Sequence, residues 1–343
     1  MRRRSLAVIA VYVVACIATT GATAQQTGLL LGIADRGWSH GLAERLTTVW
    51  LVRGAGAETT RSMKGLVVPV KSSFQRVIIA RECNPRGEDE QNPRIACVDS
   101  LVVRPARGTA PQVSRESAAS ACTTDQLGIA FASPAVLSVI YYGWYSDCSS
   151  RSWADVNARN TIAWSTRRAV SFGTLGAGAA DAYARAARAA RNVNVASDGE
   201  GSIAQRDGCQ AKADVDTTWA ITRVRGHWIP SLYQQNGNEL CLLEGAIDWT
   251  LPARVIGHTE PTLDWARITT AVPDAEAAWL SPDGTSAVIT LPGMIRVYAI
   301  EAGVPRKVLF ERPRTTEGTD VVMVQWMTGR GVAQWTARLA GVR

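Results

Sequence analysis

The stretch 279-WLSPDGTSAVITLPGMIRVYAIEAGVPRKVLF-310 carries the pattern that decides the fold. Ser286–Thr290, Ile295–Ile300 and Lys307–Phe310 are short apolar runs with β-branched and aromatic residues. Gly, Pro and Asp interrupt them at intervals of about ten residues, the spacing of antiparallel strands joined by tight turns. The same texture extends in both directions. Toward the N-terminus, strands are expected at Leu29–Ile33, Val49–Val52, Gly65–Val70, Val77–Ala80, Leu101–Val103 and Ala135–Tyr145. Lys71-Ser72-Ser73 is the turn between the third and fourth of these, and Arg104–Asp125, rich in Ala, Ser, Pro and Thr, reads as a long loop. Ile162–Trp164 and Ala169–Phe172 read as a hairpin around Thr166-Arg167-Arg168, and Trp219–Val224 and His227–Leu232 flank Arg225-Gly226. Leu240–Leu243, Arg254–Ile256, Val321–Trp326 and Val332–Trp335 complete the β pattern.

One helix interrupts it. Ala179–Asn192 is mostly alanine and arginine, both good helix formers, and Arg185, Arg188 and Arg191 recur along one side. That ridge reads as the solvated face of an amphipathic helix. The expected fold is therefore β-rich α+β. Residues 25–196 form a first domain, an antiparallel sheet with one helix, and 197–214 a linker. Residues 215–343 form an all-β second domain, a sandwich or propeller-like hairpins.

The first 24 residues read as a secretory signal peptide: Arg2-Arg3-Arg4, an uncharged apolar run from Leu6 to Ala18, and Ala22-Thr23-Ala24 before Gln25. That run is too short to span a bilayer comfortably. Val13-Val14-Ala15-Cys16 also spells a bacterial lipobox, so lipidation at Cys16 is the alternative, and with it attachment to the outer membrane. Of the seven cysteines, Cys83, Cys97, Cys122, Cys148, Cys209 and Cys241 remain as disulfide candidates in an exported chain. Pairing in sequence order (Cys83–Cys97, Cys122–Cys148, Cys209–Cys241) closes short loops, each worth roughly 3–4 kcal/mol by the chain-entropy estimate.

The formal charge is +7, and three of the arginines behind it leave with the signal. The remaining basic residues are scattered, which argues against a nucleic-acid partner. Twelve tryptophans are expected mainly in the core. Trp144 and Trp153, which flank the serine-rich 146–152, are the candidates for exposed stacking.

Three motifs invite a catalytic or cofactor reading. Gly37-Trp38-Ser39-His40-Gly41 has the G-x-S-x-G spelling of a nucleophile elbow. That elbow sits within an already built parallel sheet, whereas here only one expected strand precedes it. A base would have to be His227 or His258, with Asp214 or Asp216 as the acid. Gly176-Ala177-Gly178 opens the helix after an expected strand, with Asp198 or Glu200 further on. Asp181, however, stands where a dinucleotide fingerprint has its third glycine. His40, His227 and His258 lack the spacing of metal ligands, and Asp214-Val215-Asp216 lacks the glycine and distal glutamate of an EF-hand loop. No catalytic, cofactor or metal site is assigned.

Two resemblances extend the reading. Trp279–Val288 looks like the W-S-P-D-G hairpin of TolB-type β-propeller repeats, which occurs once here. Over Leu127–Arg188, Phe131-Ala132-Ser133-Pro134, Leu137-Ser138-Val139, a second hairpin, the turn Gly173-Thr174-Leu175-Gly176 and a helix follow one another. That order is similar to the small α+β domain of lysozyme-sensing anti-sigma factors and some peptidoglycan deacetylases. Ser165-Thr166 and Arg167-Arg168 replace the usual residues of its second hairpin, and the deacetylase Asp and His motif is absent. The resemblance implies an envelope binding module. The expectation is thus an exported cell-envelope protein, periplasmic or extracellular, without catalytic activity or cofactor. Its partner would be an envelope protein or a glycan. The alternative is a serine hydrolase using Ser39.

Overall fold

The computed structural model describes residues 26–36, 44–54, 57–86, 94–108, 121–146, 152–164, 166–192, 211–212, 215–224, 227–235, 242–257, 264–314 and 318–342. Strands β1 (Thr27–Asp35), β2 (Arg45–Gly54) and β3 (Ala57–Lys64) come first, followed by β4 (Leu66–Val70), β5 (Ser73–Arg86) and β6 (Arg94–Pro105). Next are β7 (Ala121–Ala132), β8 (Val136–Ser146) and β9 (Ser152–Ala163). A 3-10 turn at Phe172–Leu175 leads into α1 (Ala179–Ala189) and the short β10 (Arg191–Asn192). Then come β11 (Trp219–Val224), β12 (His227–Gln235), β13 (Leu242–Ala246), α2 (Ala253–Ile256) and α3 (Trp265–Ala271). The chain continues through β14 (Ala277–Leu280), β15 (Ser286–Leu291), β16 (Met294–Glu301), β17 (Val304–Pro313), β18 (Thr319–Thr328) and α4 (Arg330–Leu339).

These strands make four sheets, ordered β18-β1-β2-β3, β4-β5-β6-β7-β8-β9, β10-β13-β12-β11 and β14-β15-β16-β17. The chain is β-rich α+β, as expected. The stretch 279–310 is a meander, with β14 pairing β15, β15 pairing β16 and β16 pairing β17, all antiparallel. In the first turn Asp283 Oδ1 accepts from the Ser281 hydroxyl at 2.6 Å and from Thr285 N–H at 3.1 Å. This is the local side-chain bonding that makes Ser-Pro-Asp-Gly a turn sequence.

The topology's main feature is its closure. β18, near the C-terminal end, lies antiparallel beside β1, with Leu30 opposite Gln325 and Leu31 opposite Val324. An antiparallel sheet commonly leaves one face to water. This one is covered on both. Leu29, Leu31, Ile33, Val49 and Leu51 enter one core, and Leu30, Ala34, Leu46 and Trp50 enter another. A bulge opposite Gly32 and Ile33 keeps β18 in step, sending Val321 and Val324 to the first core and Val322 and Met323 to the second.

The sheets pack in a closed succession. The β1 sheet meets the six-stranded sheet through the second core, where Thr48 Oγ1 donates to Gly65 O at 2.9 Å and accepts from Val67 N–H at 2.7 Å. The six-stranded sheet meets the β11 sheet at Ser138 and Thr161. Thr161 Oγ1 donates to Trp219 O, and Ser138 Oγ accepts from Ile221 N–H. The β11 sheet meets the β14 sheet where Trp228 and Trp279 pack with ring centroids 5.8 Å apart. The β14 sheet returns to the β1 sheet through Thr27 Oγ1 to Asp283 Oδ2 (2.7 Å) and Arg53 to Thr285 O (2.8 Å). The four sheets thus follow one another back to the first, and β18, the last strand, completes the sheet of β1.

Some local readings change. Arg254–Ile256 lies in the single helical turn α2, and Val332–Trp335 lies in α4 instead of a strand. α3 adds a further helix, which covers the outer face of the β14 sheet with Ile268 and Val272. Most of the expected linker at 197–214 lies outside the described residues. The first core joins residues from both sides of it, Leu29 and Val49 with Trp279 and Val288.

Candidate functional site

Arg36 follows the first strand and Glu44 precedes the second, so these two residues flank 37–43, which carries the Gly-Trp-Ser-His-Gly motif. Arg36 N–H donates to Gly318 O at 3.2 Å, which ties this corner to the start of β18. The Glu44 side chain is fully buried. Its Oε1 accepts from Ile129 N–H at 2.9 Å, and its Oε2 lies 3.5 Å from Arg36 Nε. Arg36 reaches Asp320 at 2.5 Å and donates to Ile129 O at 3.4 Å.

The ion pairs continue outward. Arg314 bridges Asp320 (3.3 Å) and Glu276 and donates to Thr319 O at 2.6 Å. Beside it, Asp35 takes Arg312 at 2.9 Å and the Thr319 hydroxyl at 2.9 Å. The chain Glu44–Arg36–Asp320–Arg314–Glu276 therefore links three of the four sheets where β1, β7, β14 and β18 come together.

Why a carboxylate is buried here follows from the strands. Beyond Val98 the parallel pairing of β6 with β7 stops, and β7 continues with β8 alone. On the side that β6 has left, N–H groups of β7 need other acceptors. Leu127 N–H donates to Asp99 Oδ2 at 3.1 Å, and Ile129 N–H donates to Glu44. Asp99 is in turn held by Arg81 through two bonds of 2.7 and 2.9 Å, with both side chains almost wholly buried. This bidentate geometry compensates a buried ion pair better than a single contact would.

The same burial gives Glu44 its chemistry. Desolvation pushes its carboxyl up from 4.5 to about 7, opposed by the nearby Arg36 guanidinium and the Ile129 hydrogen bond. A carboxyl that exchanges a proton near neutral pH is a recurrent property of functional sites. Both of its oxygens nevertheless face structural partners.

Other expected residues fall as follows. Cys83 and Cys97 form a disulfide between β5 and β6. Cys122 lies in β7, but its side chain is outside the described residues, as are Cys16, Cys148, Cys209 and Cys241. Ser39, His40, His258, Asp214, Asp198 and Glu200 are also outside them. His227 is exposed at the start of β12. Asp216 is committed elsewhere, accepting from Ser171 Oγ at 2.5 Å and Gly173 N–H at 3.0 Å under the 3-10 turn. Gly178 precedes α1, whose Arg185 and Arg188 point to solvent. Trp144 and Trp153 lie in β8 and β9, with side chains outside the described residues. Among the described residues, no three His, Cys, Asp or Glu side chains gather as a metal site, and no helix is long and apolar enough to cross a membrane.

A second cluster lies between β11, β12 and β14. The Arg223 guanidinium sits 4.2 Å from the ring centroid of Trp279 and 5.0 Å from that of Trp228, and donates to Ala278 O. Cation–π contacts of this kind strengthen as water is excluded, and Arg223 is partly buried here. Sequence reading passed over Arg36, Glu44, Arg223 and Asp320. For the first two, position beside the Gly37–Gly41 motif was the available signal. The chain matches no protein family, no curated protein and no solved structure.

Proposed function

We propose that the chain is an exported component of a bacterial cell envelope, acting as a non-enzymatic binding or scaffolding module for an envelope protein or glycan. The observation that carries this reading is the Cys83–Cys97 bridge in a chain headed by a basic, apolar and A-x-A sequence. Disulfides form and persist in oxidising compartments outside the cytosol. The commitment of buried charge favours a scaffold over catalysis. Asp99 and Glu44 accept from strand N–H groups, and Arg36 and Arg314 tie strand ends together.

The test is expression of the full chain in a bacterium, with fractionation and mass spectrometry of its N-terminus. The reading expects periplasmic or extracellular protein beginning at Gln25, or outer-membrane protein with a lipidated Cys16. Cytosolic protein retaining Arg2–Arg4 would contradict it. A fluorophosphonate probe addresses the non-enzymatic part. Labelling that disappears in Ser39→Ala would replace the scaffold reading with a hydrolase.

A further inference from the structure

On one face of the β5–β6 hairpin, four directly opposed pairs follow one another: Val77 with Val103, Ile79 with Leu101, Arg81 with Asp99, and Cys83 with Cys97. The series runs from apolar core through a buried ion pair to the disulfide. Below the bridge the hairpin is held by core packing and by Asp99. Above it, β6 has its short parallel contact with β7, Ile95–Val98 beside Ala121–Asp125, with Cys97 opposite Thr124. The bridge thus stands at the point where the six-stranded sheet forks. Its two cysteines differ in exposure, since Cys97 is 1% exposed whereas Cys83 is only half-buried.

We propose that the Cys83–Cys97 bridge is a reducible latch for a Cys-X-X-Cys dithiol protein, whose opening frees the β5–β6 tip from β7 while the other sheets stay folded. A thiolate of that dithiol attacks Sγ of Cys83, the more exposed of the two cysteines, and the Cys83–Cys97 bond breaks with Cys97 leaving as a thiolate that takes up a proton. The second thiol of the partner then attacks the mixed disulfide, releasing Cys83. Two electrons pass to the chain, and the partner is left as a disulfide. The core pairs Val77/Val103 and Ile79/Leu101 lie on the far side of the Arg81–Asp99 pair from the bridge, so their packing does not depend on it. The parallel contact of β6 with β7 does, because the bridge fixes Cys97 against β5 at the same level.

The experiment uses the full mature chain and a Cys-X-X-Cys protein lacking its second cysteine. A mixed disulfide should form without denaturant and map to Cys83. With the intact dithiol, amide exchange at Ile95–Val98 should speed up by about tenfold or more, while Leu127, held by Asp99 below the bridge, and Leu29–Leu31 and Val321–Val324 keep their protection. Replacing both cysteines (Cys83→Ala with Cys97→Ala) should give the same fast exchange with no dithiol present. An adduct on Cys97, reduction only in denaturant, or unchanged exchange at the tip would overturn the proposal. So would loss of protection in β1 and β18, or failure of the double variant to fold, since either makes the bridge a global staple.

Discussion

Glu44 couples the stability of the fold to pH through one buried carboxyl. Between pH 4.5 and about 7 the folded chain keeps a proton on Glu44 that the unfolded chain has released. Its contribution to stability is therefore complete below pH 4.5 and is lost as pH rises through about 7, a change of roughly 3 kcal/mol. Glu44→Gln keeps an acceptor for Ile129 N–H but cannot titrate. In urea unfolding, wild type minus variant stability should fall by about that amount between pH 4.5 and pH 8. Parallel pH profiles would show that Glu44 is not the titrating group. Asp99 matters through its hydrogen bonds: both of its oxygens are bonded to Arg81 and one also to Leu127 N–H. Asp99→Ala removes the bidentate partner of a buried guanidinium and the acceptor of a strand N–H, and should cost about 3–5 kcal/mol by the same measurement. Neither role was legible in the sequence. In Gly41-Leu42-Ala43-Glu44-Arg45 the glutamate has the look of a surface residue. Its burial comes from β7, a strand 85 positions away.

Elements were legible where turn chemistry and apolar alternation agreed. The β11–β12 hairpin, the β14–β17 meander and α1 follow from such agreement. β3 and β9 escaped because they are polar strands, Ala57–Lys64 and Ser152–Ala163. Among the described side chains of β3, Met63 is the buried apolar one. α4 was misread because Val332 and Trp335 fit a short strand as well as one turn of helix. What decides is the tertiary partner: Val332 and Leu339 are buried in the second core, and Trp335 packs at a tilt against Trp50 and edge-to-face against Phe74. Two predictions belong at this scale. Ala302 and Gly303 form the two-residue turn between β16 and β17, with φ of 51° and 77°. Such a turn favours Asn before Gly, so Ala302→Asn should raise stability by roughly 0.5–1 kcal/mol, visible as a higher melting temperature. Gly32 lies where three strands and β4 converge, and an added Cβ would meet Leu66 Cδ1 at 2.3 Å and Met323 Cβ at 2.8 Å. Gly32→Ala should cost about 1–3 kcal/mol in chemical denaturation, since Met323 Cβ is part of a packed strand.

The whole molecule is organised by the return of β18 to β1. Sequence periodicity announced many strands but not their partners, because β1 and β18 pair across nearly the full length of the chain. The closure places a strand from each end of the chain in one sheet that is buried on both faces. It also explains why the ion pairs from Glu44 to Glu276 can span three sheets: the ends of β1, β17 and β18 meet there beside β7. If this closure governs the fold, β1 and β18 open only with the molecule as a whole. Native-state amide exchange on the intact protein tests that directly. The closure predicts that Leu29–Leu31 and Val321–Val324 exchange with one common free energy, equal to that of global unfolding. Fast, local exchange in β18 while β1 remains protected would contradict it.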